Sequence, residues 1–101
     1  MNKQINRETV INYKDNFGVK QSCTWGEVVE YDLGGKDDNY HLVVEVTPGM
    51  TYERYDTMMD AGEDPEELFV AQLEKEMSEG NYANLARLMD VQNVQSINIE
   101  E

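Results

Sequence analysis

The sequence predicts an α+β fold: an antiparallel β-meander of about four to five strands in the N-terminal half, packed against two or three C-terminal α-helices. Two observations carry this. Through most of residues 1–50 apolar side chains alternate with polar ones, the period of a half-buried strand. In residues 51–101 they recur at three- and four-residue spacings between strong helix start and stop signals. A chain of 101 residues is expected to form one domain over 1–101 and to bury about two thirds of its extended surface without disulfide staples.

The elements follow in order. Thr9-Val10-Ile11-Asn12-Tyr13 is rich in strand formers, and Asp15, Asn16 and Gly18 supply turn chemistry. Val19, Cys23 and Trp25 then fall on one side of a second alternating run. Residues 24–33 admit two readings. Val29, Tyr31 and Leu33 alternate with Glu30 and Asp32, as in a strand. Thr24 with Glu27 fits a helix capping box instead, Gly34 fits a helix stop, and a helix would align Trp25, Val28, Val29 and Leu33. Gly26 and the adjacent valines weigh toward the strand. Gly34 to Asn39 reads as a polar loop. Tyr40, Leu42, Val44 and Val46 alternate with His41, Val43 and Glu45, giving a further strand that ends at Thr47-Pro48-Gly49.

From Thr51 the pattern becomes helical. Thr51 caps a short helix with Tyr52, Tyr55 and Met59 on one face and Gly62 as its stop. Asp64-Pro65 starts the next helix: a cap, then proline at the first helical position, then Glu66 and Glu67 at the positive dipole end. Phe69, Val70, Leu73 and Met77 form its buried stripe. Gly80 and Asn81 separate it from a third helix with Tyr82, Leu85, Ala86 and Met89 at i, i+3, i+4 and i+7. So short a connection packs the last two helices antiparallel. Val94, Ser96, Ile97 and Ile99 suggest a final strand.

Charge narrows the function classes. Eight Lys+Arg stand against 21 Asp+Glu, a net charge of −13, and it is uneven: +2 over residues 1–20, −5 over 21–50 and −10 over 51–101. Such a chain repels nucleic acid and anionic membranes; its natural partner is a basic protein surface, including one that ordinarily holds nucleic acid. No apolar run approaches the length of a membrane span, no secretory leader is visible, and one cysteine forms no internal disulfide, so a cytoplasmic setting is expected.

Catalytic and cofactor signatures are lacking, and the expectation is a non-enzyme without cofactor. Cys23 and His41 are the only thiol and imidazole. On the strand reading they could be cross-strand neighbours, but no third group completes a triad. Zinc needs more His and Cys than this. Asp56 to Glu67 has the length of a calcium loop, yet Met58 stands at a ligand position, Ala61 where the turn glycine belongs, and Pro65 follows near the end. Gly34-Gly35-Lys36 lacks the rest of a phosphate loop.

What remains is an acidic helical surface with aromatic neighbours. Asp56, Asp60, Glu63, Asp64, Glu66, Glu67, Glu74, Glu76 and Glu79 crowd one span, and Tyr52 and Tyr55 lie beside the first of them. The candidate partner-binding residues are Tyr52, Tyr55, Asp56, Asp60, Glu63, Asp64, Glu66, Glu67 and Glu74. Duplex DNA carries about 18 charges over 30 Å, within a factor of two of this chain's charge. The expected function is a small acidic inhibitor seated on a basic, nucleic-acid-binding surface. Phage or plasmid counter-defence proteins of the anti-CRISPR or anti-restriction type, and toxin-immunity proteins, share this size and charge. The alternative is an adaptor that binds through a Tyr/Met surface, with the charge serving solubility.

Overall fold

Two strands and the turn between them begin the fold. The structure, a computed structural model, describes residues 4–33 and 39–100. Strands β1 (Val10–Lys14) and β2 (Lys20–Thr24) pair antiparallel, with Ile11 facing Cys23 and Lys14 facing Lys20. Asp15 builds the turn: its Oδ1 accepts from the backbone N–H of Phe17 and of Val19, both at 2.9 Å, and its Oδ2 from Gln21 Nε2 at 3.1 Å. Those bonds hold the Asp15 carboxyl below its ordinary pKa, the Val19 N–H first among them. The chain's last strand, β3 (Asn98–Glu100), pairs with the other edge of β1 and sets Ile99 opposite Ile11. The sheet order is β2–β1–β3, all antiparallel.

Among the described residues the sheet therefore has three strands, not the four to five of a meander, and two expected strands are helices. Trp25–Val28 is helix α1, which runs on as a π-helical stretch, Val29–Leu33. Its capping box is complete: Thr24 Oγ1 accepts from the Glu27 N–H at 3.2 Å, and Glu27 Oε1 accepts from the Thr24 N–H at 3.1 Å. Gly26 argued for a strand only because its role is tertiary. Its N–H donates to the Arg7 carbonyl at 2.9 Å, and a β-carbon there would lie 3.0 Å from that oxygen. The site needs glycine for close approach, not for chain reversal. Trp25, Val28 and Leu33 are buried, the last displaced by one residue from α-helical spacing as a π-turn requires. The loop expected over 34–39, and the stop at Gly34, lie outside the described residues except for Asn39.

The second correction is α2 (Tyr40–Val46). Its valines favour strand intrinsically, but burial decides: Val43 is fully buried while His41 and Glu45 are exposed, and Leu42 and Val46 pack on the core one turn apart. Val43 is an apolar residue on the side of that alternation otherwise held by His41 and Glu45, and the helix accounts for it.

The C-terminal half follows its sequence signals. Helix α3 (Tyr52–Asp60) is capped by Thr51, whose hydroxyl accepts from the Arg54 N–H at 3.0 Å. Helix α4 (Pro65–Ser78) is capped by Asp64, whose Oδ1 accepts from the Glu66 N–H at 2.9 Å. Gly62 and Gly80, at φ of 79° and 82°, provide the left-handed exits after α3 and α4. Helix α5 (Ala83–Met89) is followed by a 3₁₀ turn, Val94–Ser96, so the final strand is limited to the last three described residues. Phe69, Val70, Leu73 and Met77 face inward as the spacing predicts, and α4 packs against α2, α3 and α5. One core joins Ile11 and Ile99 of the sheet to Trp25, Val43, Phe69 and Leu85 of the helices. Among the described residues no helix is long and apolar enough to cross a membrane.

Candidate functional site

Seven of the nine residues singled out from the sequence separate into two places. The first is an aromatic cluster joining α2 to α3. The Tyr40 ring stands edge-on to Tyr55, centroids 4.6 Å apart, and lies 5.2 Å from Tyr52. His41 stands edge-on to Tyr52 at 5.5 Å, with its Nδ1 2.7 Å from the Tyr52 hydroxyl. Tyr40 Oη donates to Asp56 Oδ1 at 3.0 Å. Burial, then the Asp56 hydrogen bond and charge, raises the Tyr40 phenol above its ordinary pKa. Helix α3 contains no fully buried residue; these rings tie it to α2, and Tyr52 and Met59 remain 43% and 55% exposed.

The second place is a groove of about 480 Å³ between the N-terminal half of α4, the π-helical stretch and Arg7. Its apolar floor is Val29, Leu33, Val70 and Ala71; its acids are Asp64, Glu66, Glu67 and Glu74. Asp64, Glu67, Ala71 and Glu74 follow at spacings of three, four and three, so one helix face presents them. Burial first, then the Asp64 charge, pushes the Glu66 carboxyl above the usual range. Glu74 has a structural bond as well, its Oε2 accepting from the indole N–H of buried Trp25 at 2.8 Å.

Asp60 and Glu63 are exposed and line neither place. Glu76, from the same acidic span, is occupied by the fold: its carboxylate accepts from Gln72 Nε2 and Asn84 Nδ2, each at 2.9 Å, tying α4 to α5. Arg87 and Glu45 form an ion pair between α5 and α2. Cys23 and His41, weighed above as cross-strand neighbours, are not: Cys23 is on β2 and His41 on α2. Burial first, then Glu27 and Asp32, pushes the Cys23 thiol up to about 11, the reverse of an activated nucleophile. Among the described residues no group of three or more His, Cys, Asp or Glu is placed to hold a metal ion.

Sequence reasoning missed Tyr40 and His41, since a strand puts neighbours on opposite faces; a helical reading of 40–46 brings both rings toward α3. It also missed Arg7, whose backbone contact with Gly26 has no sequence signal. Comparison with protein-family models, curated proteins and solved structures gives no match.

Proposed function

We propose that this chain is a small acidic protein-binding inhibitor that occupies a basic, nucleic-acid-binding surface of a target protein, in the manner of phage or plasmid counter-defence and toxin-immunity proteins. One observation supports it above the others: Asp64, Glu66, Glu67 and Glu74 converge on one groove with an apolar floor. They span ten helical steps, about 15 Å of axis, and one DNA strand presents about four phosphates over that length. Carboxylates fixed on a helix reproduce that charge density without the flexibility of an acidic tail, while the apolar floor adds contact area that a phosphate backbone lacks. The −10 carried by residues 51–101 extends the same field outward and steers a basic partner toward this side.

The test is capture from a host lysate on the immobilised chain at low salt, with mass spectrometry of what is retained, repeated with Glu63→Gln, Asp64→Asn, Glu66→Gln and Glu67→Gln combined. Asp64→Asn keeps a capping oxygen, and Glu74 stays because Trp25 depends on it. The reading expects a basic protein retained by the wild type and lost by the variant. Retention of the same partner by both defeats it. The adaptor reading is favoured by the exposed Tyr52 and Met59 beside a preset ring cluster; it expects capture that resists salt and is lost with Tyr52→Ala.

A further inference from the structure

The hairpin tip has a composition unlike the rest of the molecule. Phe17 is 92% exposed and Val19 54% exposed, and the facing Lys14 and Lys20 stand directly behind them. Like charges opposite one another disfavour a hairpin, and an exposed phenylalanine gains nothing from water. The fold nonetheless holds this tip firmly. Asp15 binds two of its backbone N–H groups, and Asn16 is fixed at both ends of its amide, donating to the Asp90 carbonyl at 3.0 Å and accepting from the Gln92 N–H at 2.9 Å. A pre-ordered loop presenting one exposed aromatic ring, with a lysine at each of its two ends, has the build of an interface anchor, which loses little entropy on docking. Its complement is an apolar socket rimmed by carboxylates, and the groove under α4 is such a socket.

We propose that the hairpin tip of one copy, Phe17 flanked by Lys14 and Lys20, docks head-to-tail in the groove of a second copy, on Val29, Leu33 and Val70 and beside Glu66 and Glu67. A chain does not fill its own groove this way: Arg7, which lines it, lies three residues before β1 and Phe17 three residues after, at opposite ends of the hairpin. The four groove carboxylates outnumber Arg7, so the socket stays net negative toward the two incoming lysines. A buried phenylalanine covers about 150–250 Å², far below the area of a permanent dimer; the association is transient and sensitive to concentration. Because each copy keeps a free tip and a free groove, it is open-ended. This goes beyond the inhibitor reading and needs no target protein.

The test is sedimentation velocity of the purified chain over a concentration series, with Phe17→Ser and Ala71→Arg. Both substitutions are at exposed positions, and unchanged thermal melts verify that each variant folds. The wild type is expected to grow beyond a dimer as concentration rises. Each variant alone is expected to associate at least about tenfold more weakly. A 1:1 mixture is expected to recover a discrete dimer, because the intact tip of Ala71→Arg meets the intact groove of Phe17→Ser and nothing remains to extend it. A wild type that stays monomeric throughout, a Phe17→Ser variant that associates like wild type, or a mixture that stays monomeric overturns the proposal. None of these results depends on whether a basic target is captured.

Discussion

Glu74 is in the candidate groove and also holds the core, and the two roles are separable by substitution. Trp25 is the chain's one tryptophan, is fully buried, and donates its indole N–H to Glu74 at 2.8 Å. Glu74→Ala removes the acceptor and strands a buried donor, a loss of about 1–3 kcal/mol. For a domain of this size each 1 kcal/mol moves Tm by about 4–8 °C, so a mid-range loss of about 2 kcal/mol lowers Tm by about 8–16 °C. Glu74→Gln retains an amide oxygen in the same place and costs less than about 1 kcal/mol. Both remove one negative charge, so relief of repulsion cancels in the comparison. Glu67→Ala, on the exposed surface two helical turns before Glu74, is the charge-matched control and is expected within about 0.5 kcal/mol of wild type. The assay is urea unfolding followed by Trp25 fluorescence, which reports the same residue whose bond is broken. Equal midpoints for Glu74→Ala and Glu67→Ala would refute the assignment of Glu74 as the indole's partner.

Three further outcomes follow from particular contacts. Gly26→Ala destabilises by up to about 2 kcal/mol in a chemical melt: its β-carbon meets backbone at the Arg7 carbonyl, an overpacking of about 1–3 kcal/mol, and the helix propensity gained returns about 1 kcal/mol of it. Stability rises as pH falls through the raised Glu66 value toward 4.5 and declines in stronger acid. Glu66 has its folded pKa raised above 4.5, so the folded state binds its proton first and gains as pH falls through that value; Asp15 has its folded pKa held below 3.8, so its contribution is present above 3.8 and lost as pH falls through the lowered value. Thermal melts across pH read both limbs, and a monotonic loss from neutrality downward contradicts the Glu66 assignment. Native Cys23 reacts with a disulfide reagent at mildly alkaline pH at least about tenfold more slowly than in urea, since a thiol raised from 9.0 to about 11 has about one hundredth of the thiolate, offset in part by that thiolate's greater nucleophilicity; equal rates contradict it.

The fold was legible where local chemistry and tertiary packing agree. Thr51, Asp64-Pro65, Gly62 and Gly80 mark the ends of α3 and α4 in the sequence and in space, and the stripe from Phe69 to Met77 lies in the core as its spacing requires. It was illegible where they conflict. Residues 25–33 carry a complete capping box, yet Gly26 and Val28-Val29 lower helix propensity, and what outweighs them is Trp25, Val28 and Leu33 entering a core assembled from distant segments. Residues 40–46 are valine-rich, and only the position of α4 makes Val43 a buried helical residue. The same limit applied to the site. The acidic span was visible as composition, but its division into a groove under α4 and a ring cluster on α3 depends on α2 supplying Tyr40 and His41 and on Arg7 and the π-helical stretch forming the opposite wall.

In the inhibitor reading the groove carboxylates make the contact with a basic partner. Its most direct measurement is the affinity of the captured partner for wild type and for the Glu63→Gln, Asp64→Asn, Glu66→Gln and Glu67→Gln variant, each titrated across salt. Charge pairing at the groove predicts a steep fall of wild-type affinity with salt, and for the variant both weaker binding at low salt and a shallower slope. Superimposable salt titrations for the two proteins, with the variant folded, would contradict it.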